Sequence, residues 1–233
     1  MSMIKTVLMD YDSTLHDMDK AMEVKLDGIL EFSGKKLYKM WVYEIHRELI
    51  HQNYLEHHDD IMFHCRLLFK HLDKPFDEKI ARKICKVFEK AKEEAKFEPV
   101  YYPDAIPSLE KLREGGFTIC LSTGFDAKEK ANTLEKRTGK KFFDYTFSES
   151  TLGMLKTEPE YYEQILENLD ILPSETVSVG DTPLSDIRPA RIVGIHTIWV
   201  NRVNEVKPNK QDQIADFEVK DLYEAVDIIN SLR

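Results

Sequence analysis

From about residue 99 onward the chain alternates short apolar runs with helical stretches, and one further run of the same kind, Ile4 to Met9, stands alone near its start. A helix over Ala105 to Glu114, stopped by Gly115-Gly116, leads to the strand Phe117 to Leu121. A helix over Ala127 to Arg137 precedes the strand Tyr145 to Ser148, and Glu158-Pro159 opens the next helix. Then come the strand Thr176 to Val179, a helix near Ser185 to Val193 and the strand His196 to Val200. Strands alternating with helices predict a parallel sheet covered on both faces, an α/β fold.

Between the first run and the rest, Asp17 to about Phe97 is helical in pattern, highly charged and poor in glycine, with apolar residues at three and four spacing such as Ile61, Cys65, Leu68, Phe69 and Leu72. Breaks near Ser33-Gly34 and Lys74-Pro75 divide it into about four helices. The simplest organisation is a core domain from residues 1–15 and 98–233 with a helical domain, 16–97, inserted into it. Its two connections, near His16 and Phe97, are expected to act as a hinge for a lid over the sheet's carboxyl edge, where open α/β sheets bind ligands.

Acidic residues outnumber Lys plus Arg by 42 to 33, and the net charge of -9 argues against a nucleic-acid polymer or an anionic membrane as partner. A small anionic metabolite remains compatible, because a metal ion and a few local cations reverse the sign inside a cleft. Cys65, Cys85 and Cys120 are odd in number and widely spaced, which fits inert thiols in a reducing compartment. No leader pattern precedes the first strand and no apolar stretch reaches the ~20 residues needed to cross a bilayer, so the expected location is the cytoplasm.

Four segments follow predicted strands, and a parallel sheet brings such segments to one edge. The first is Asp10-Tyr11-Asp12-Ser13-Thr14, where two carboxylates two residues apart suit attack on phosphorus by one and proton transfer by the other; the alternative is a polar strand-to-helix loop. The second is Ser122-Thr123-Gly124, whose hydroxyls and backbone N–H groups suit a phosphoryl oxygen or else cap a helix. The third is Lys156 before a helix, and the fourth is Gly180-Asp181 with Asp186 about a turn further on. Two acids there suit Mg²⁺, which takes oxygen ligands and keeps several waters.

In their order behind apolar strands, these segments resemble the motifs of the haloacid dehalogenase superfamily. The match comprises Asp10, Asp12, Thr14, Ser122, Lys156, Asp181 and Asp186, and covers residues 1–15 and about 98–202. It implies a Rossmann-like sheet, with the helical stretch as a cap between the first and second motifs. It also implies a covalent aspartyl intermediate and Mg²⁺. Carried over, Asp10 is nucleophile and metal ligand, Asp12 is acid/base with its backbone carbonyl on the metal, and Asp181 is the other protein ligand. Ser122, Thr123, Gly124 and Lys156 bind the transferring phosphate, while Thr14 and Asp186 support from behind. Ser13 stands where glycine is frequent, and Asp181 and Asp186 are five apart rather than four.

The acid at Asp12 separates phosphate-ester chemistry from dehalogenation, which has no alkoxide to protonate. A phosphomonoesterase acting on phosphoglycolate, a sugar phosphate or a nucleotide is the reading adopted. A phosphomutase of the same superfamily uses the same residues, and a receiver-like phosphoacceptor domain is a non-enzyme alternative. Six histidines, His46, His51, His57, His58, His64 and His71, invite a metal or nucleobase reading of the insert, but on amphipathic helices such residues are expected at the surface or partly packed. Trp41, Tyr54, His57 and Arg66 are the candidate contacts to the leaving group. The pattern leaves monomer and homodimer open.

Overall fold

The computed structural model describes residues 3–203 and 214–232; residues 1–2, 204–213 and 233, which the sequence reading assigns to the core domain, lie outside them. The chain divides into two compact units, Met1–His16 with Tyr101–Arg233, and Asp17–Val100.

The first unit is built on six strands: β1 (Thr6–Met9), β2 (Thr118–Thr123), β3 (Tyr145–Ser148), β4 (Thr176–Gly180), β5 (His196–Val200) and β6 (Phe217–Val219). They form one sheet of order β3-β2-β1-β4-β5-β6, parallel at every pairing. The expected Rossmann-like α/β sheet is therefore present, with β6 and a closing helix, Leu222–Ser231, added beyond the last element legible in the sequence. The period-two geometry of strands sorts side chains to two faces. Val7, Met9, Ile119, Leu121, Val177 and Val179 join Leu109, Leu112, Leu134 and Val226 in one core. Leu8 and Cys120 point the other way, into a core with Tyr161, Tyr162, Ile165 and Ala190.

Local chemistry sets the helix ends. Gly115 caps the helix Ala105–Glu114 and Gly116 takes φ 74°, a left-handed conformation that costs other residues strain. Pro159 opens the helix Pro159–Leu169 at its first turn, where a missing N–H leaves no bond unmade. The single helix expected near Ser185 to Val193 is instead a π-helical turn, Pro183–Ile187, running into an α-helix, Arg188–Ile192.

The second unit is all helical. Its main elements are Met18–Leu26, Gly34–Lys39, Met40–Ile50, Ile61–His71 and Glu78–Phe97, joined by short turns. Ala81, Ile84, Phe88 and Ala91 recur at three and four spacing along the last helix and pack with Cys65, Leu68, Ile45 and Leu37 in a core of the unit's own. The segment Met40–Ile50 is π-helical, with i→i+5 backbone bonding, which propensity does not encode.

Candidate active site

The chain runs outward from β1 through β2 to β3 and returns on the other side of β1 at β4, so the sheet reverses its order at β1. Ligands of open α/β sheets bind at such a reversal, outside the carboxyl ends of the strands. Asp10 follows β1, Ser122 and Thr123 end β2, and Asp181 follows β4. The Asp10 N–H donates to the Val179 carbonyl at 2.9 Å, which ties the end of β1 to β4.

Lys156 is the hub of the site. Its Nζ lies 2.7 Å from Asp10 Oδ1, 2.7 Å from the Ser122 carbonyl and 2.6 Å from Asp186 Oδ1. Burial opposes a charge on this lysine, yet the two carboxylates raise its affinity for the proton well above the ordinary value. Asp10 feels the same burial as an upward push, partly offset by Lys156 and reinforced by Asp186, and its carboxyl rises to about 6. The second oxygen of Asp186 accepts the Thr182 N–H at 2.8 Å. The Asp186 carbonyl accepts from the Ser178 hydroxyl at 2.8 Å.

Two backbone features make room for Asp186. A Cβ on Gly180 would stand 2.3 Å from the Asp186 Cγ, so only glycine fits there. The π-helical turn, in which the Arg188 N–H bonds to the Pro183 carbonyl, holds one more residue than an α-turn and accommodates the five-residue spacing from Asp181 to Asp186. Asp181 itself is fixed from behind, its carbonyl accepting the Trp199 indole N–H at 2.9 Å.

Asp12 sits in a different environment. Lys130 Nζ donates to its Oδ2 at 2.7 Å and His16 Nδ1 lies 3.2 Å from its Oδ1. Burial alone raises such a carboxyl, but Lys130 and His16 outweigh it and hold Asp12 well below the usual carboxylate range. Lys130 is 0% exposed, bonds also to the Thr123 hydroxyl at 3.2 Å, and stands 4.1 Å from the centre of the Phe125 ring. Sequence reasoning missed this lysine. It is one of several lysines on the helix Ala127–Thr138, and nothing in a single sequence marks the one whose position after β2 aims it inward.

The remaining predicted residues fall as follows. The Ser122 hydroxyl lies 3.2 Å from the Tyr161 hydroxyl. The Gly124 carbonyl accepts the Glu149 N–H, and Glu149 in turn accepts the Lys156 N–H at 2.9 Å, which orders the lysine's loop. Thr14 is buried, its carbonyl held by Arg202 at 2.9 Å. Ser13 adopts φ 61°, so the loop demands a left-handed residue where this chain carries a Cβ.

In the helical unit the four candidate contacts separate. Trp41 is 4% exposed and packs between His64 and Phe88 in the unit's core. The ring of Tyr54 meets Phe63 edge-on, His57 stacks on Phe63 with centroids 3.9 Å apart, and Arg66 lies over Phe76.

One carboxylate oxygen each from Asp10, Asp181 and Asp186 lies within 4.8 Å of the others, all three residues being buried. An all-oxygen, anionic set of this kind suits a small hard cation. The model of the haloacid dehalogenase-like hydrolases matches residues 4–194. The chain belongs to this family of enzymes.

Within the family, the chain is 29% identical to the glyceraldehyde 3-phosphate phosphatase of Methanopyrus kandleri, over 99% of both chains. It is 26% identical to the crystal structure of a HAD phosphatase from Thermococcus onnurineus, with a TM-score of 0.59 over 97% of this chain and 98% of that one. The HAD-hydrolase YfnB of Bacillus subtilis, solved bound to magnesium, shares the fold at 19% identity, with a TM-score of 0.71 over 98% of this chain and 100% of that one.

Proposed function

We propose that this HAD-family phosphatase hydrolyses a small phosphomonoester through a phosphoaspartyl intermediate on Asp10, with Asp12 as general acid and base. The observation that carries the reading is the contrast between the two carboxylates. Asp10 shares Lys156 with Asp186 at the end of β1, whereas Asp12 has its own buried cation, Lys130. Two acids two residues apart are thus held by separate lysines, so that one carboxylate is placed to attack while the other is oriented for proton transfer.

Asp10, Asp181 and the backbone carbonyl of Asp12 are assigned to Mg²⁺; the carboxylates of Asp10 and Asp181, buried and gathered with that of Asp186, support the first two. The cation, when bound, neutralises phosphate charge so that a carboxylate can approach it. Asp10 attacks phosphorus and the ester oxygen departs with a proton from Asp12. Asp12 then takes a proton from water, which attacks the acyl phosphate and releases inorganic phosphate and Asp10. Lys156 and the Ser122 to Gly124 segment stabilise the equatorial oxygens as charge shifts onto them. Asp186 and Thr14 position this set without touching the reacting atoms.

The substrate assigned is a short-chain phosphorylated metabolite of the triose phosphate kind, on the strength of the end-to-end similarity to a glyceraldehyde 3-phosphate phosphatase. Choice among phosphomonoesters is assigned to the helical cap, residues 16–97, where Tyr54, His57 and Arg66 carry side chains that are half-buried or exposed. Alanine substitutions at these three that leave relative rates among substrates unchanged would refute that assignment. The core reading is tested by phosphate release from a panel of triose, sugar and nucleoside monophosphates and phosphoglycolate, with and without Mg²⁺. Asp10→Asn should abolish turnover, and Asp12→Asn should lower it by about 10²–10⁴-fold.

A further inference from the structure

Four histidines of the helical unit, His46, His51, His58 and His64, gather in one place. His46, His51 and His58 each offer one ring nitrogen within 4.8 Å of the others. The rings of His46 and His51 are 4.3 Å apart, those of His46 and His58 4.9 Å, and those of His51 and His58 5.3 Å and nearly parallel. Backbone geometry brings the first pair together. Residues five apart on an α-helix lie about 140° around the axis from one another. In the π-helical segment Met40–Ile50 the His51 N–H bonds to the His46 carbonyl, and this i→i+5 bond brings the two histidines to one side, where their rings meet edge-on.

The ring protons follow from the hydrogen bonds. His64 Nδ1 lies 2.7 Å from the Asp60 carbonyl, which only an N–H can face, so His64 Nε2 carries a lone pair. That nitrogen accepts from His46 Nδ1 at 2.9 Å, which leaves His46 Nε2 as a lone pair 3.0 Å from His51 Nε2. His58 Nδ1 faces Asp59 Oδ1 at 3.4 Å, freeing its Nε2 as donor atom. Imidazoles that ligate metals are characteristically oriented this way, by a carbonyl, carboxylate or other acceptor on the far nitrogen. Trp41, stacked on His64 at 5.4 Å, holds the second layer in place. Burial, aided by the neighbouring imidazoles, keeps His46 neutral, and burial does the same for His64.

We propose that His46, His51 and His58 form a binding site for a divalent transition-metal ion of the zinc class, with His64 and Asp59 as positioning residues. Zinc–nitrogen bonds of about 2.0–2.1 Å set tetrahedral ligands about 3.3–3.4 Å apart, so the observed nitrogens need only small side-chain rotations. The proton now between His46 and His51 moves to His51 Nδ1 when the cation takes its place. Three imidazoles with a fourth position for water suit zinc, cobalt or nickel and not Mg²⁺, whereas the aspartates Asp10, Asp181 and Asp186 have the opposite preference. The cation would pin the end of the π-helical segment to the turn before the helix Ile61–His71, within the helical unit alone.

The test is equilibrium dialysis of the full chain against Zn²⁺ in excess Mg²⁺, which occupies the carboxylates. The wild type is expected to retain one zinc per chain and to gain thermal stability from it. Asp181→Asn should retain that zinc, His51→Ala and His58→Ala should lose it, and His64→Gln should bind about 10–100-fold more weakly. Co²⁺ added to the wild type should give the strong visible absorption of a tetrahedral nitrogen-ligated ion, a readout that stands even where a histidine variant does not fold. Retention of no zinc by the wild type, or zinc and the cobalt spectrum unchanged in folded His51→Ala and His58→Ala, overturns the proposal.

Discussion

Two lysines set the chemistry of two aspartates. Asp10 is pushed up to about 6 by burial, against an ordinary value of 3.8, so its proton is bound more tightly in the folded chain than in the unfolded one. A carboxyl raised on folding contributes stability that is full below about pH 4 and lost as pH passes 6. Thermal unfolding of the metal-free protein should therefore show wild type losing ground to Asp10→Asn between pH 4 and 7, and a constant difference would contradict this. Asp12 has the opposite bias, and Lys130→Met should move the acidic limb of kcat/KM to higher pH. The same change leaves a largely buried carboxylate short of its main partner, a cost of up to about 3 kcal/mol. At Ser13, with φ 61°, replacement by glycine should stabilise the protein by about 1 kcal/mol, read as a rise in Tm.

At the scale of elements, the site depends on turns packed to contact. Gly180→Ala puts a methyl group onto the Asp186 carboxylate, and displacement of that side chain should cost about 1–3 kcal/mol and most of the activity. Arg202 binds Asp104 through both terminal nitrogens and reaches the Thr14 carbonyl, while Asp104 also accepts the Leu222 N–H that begins the last helix. Elements with strong local signals were legible beforehand: β3 and β5, the helix Ala105–Glu114 and the start at Pro159 fall where apolar runs, glycines and prolines put them. β6 was not, because three residues are too short to display alternation. Neither were the π-helical segments, whose extra residue per turn arises from packing, nor Lys130, whose inward course depends on the helix that carries it. Asp10, Asp181 and Lys156 were legible because each follows a strand or precedes a helix with a plain boundary signal.

At the scale of the molecule, one chain carries two donor sets of opposite character. Buried aspartates gather at the carboxyl edge of the sheet, and imidazoles gather in the helical unit. Among the described residues no helix is long and apolar enough to cross a membrane. The assignment of hydrolysis to the sheet edge rests on Asp10 becoming phosphorylated. The direct measurement is intact-mass and peptide mass spectrometry of the protein quenched in acid during turnover of glyceraldehyde 3-phosphate with Mg²⁺, comparing wild type with Asp12→Asn. A mass gain of one phosphoryl group on the peptide holding Asp10, accumulating in Asp12→Asn and absent from Asp10→Asn and from samples without Mg²⁺, is the predicted result. Phosphate release that proceeds in Asp10→Asn, or a phosphoryl group on any other residue, would contradict it.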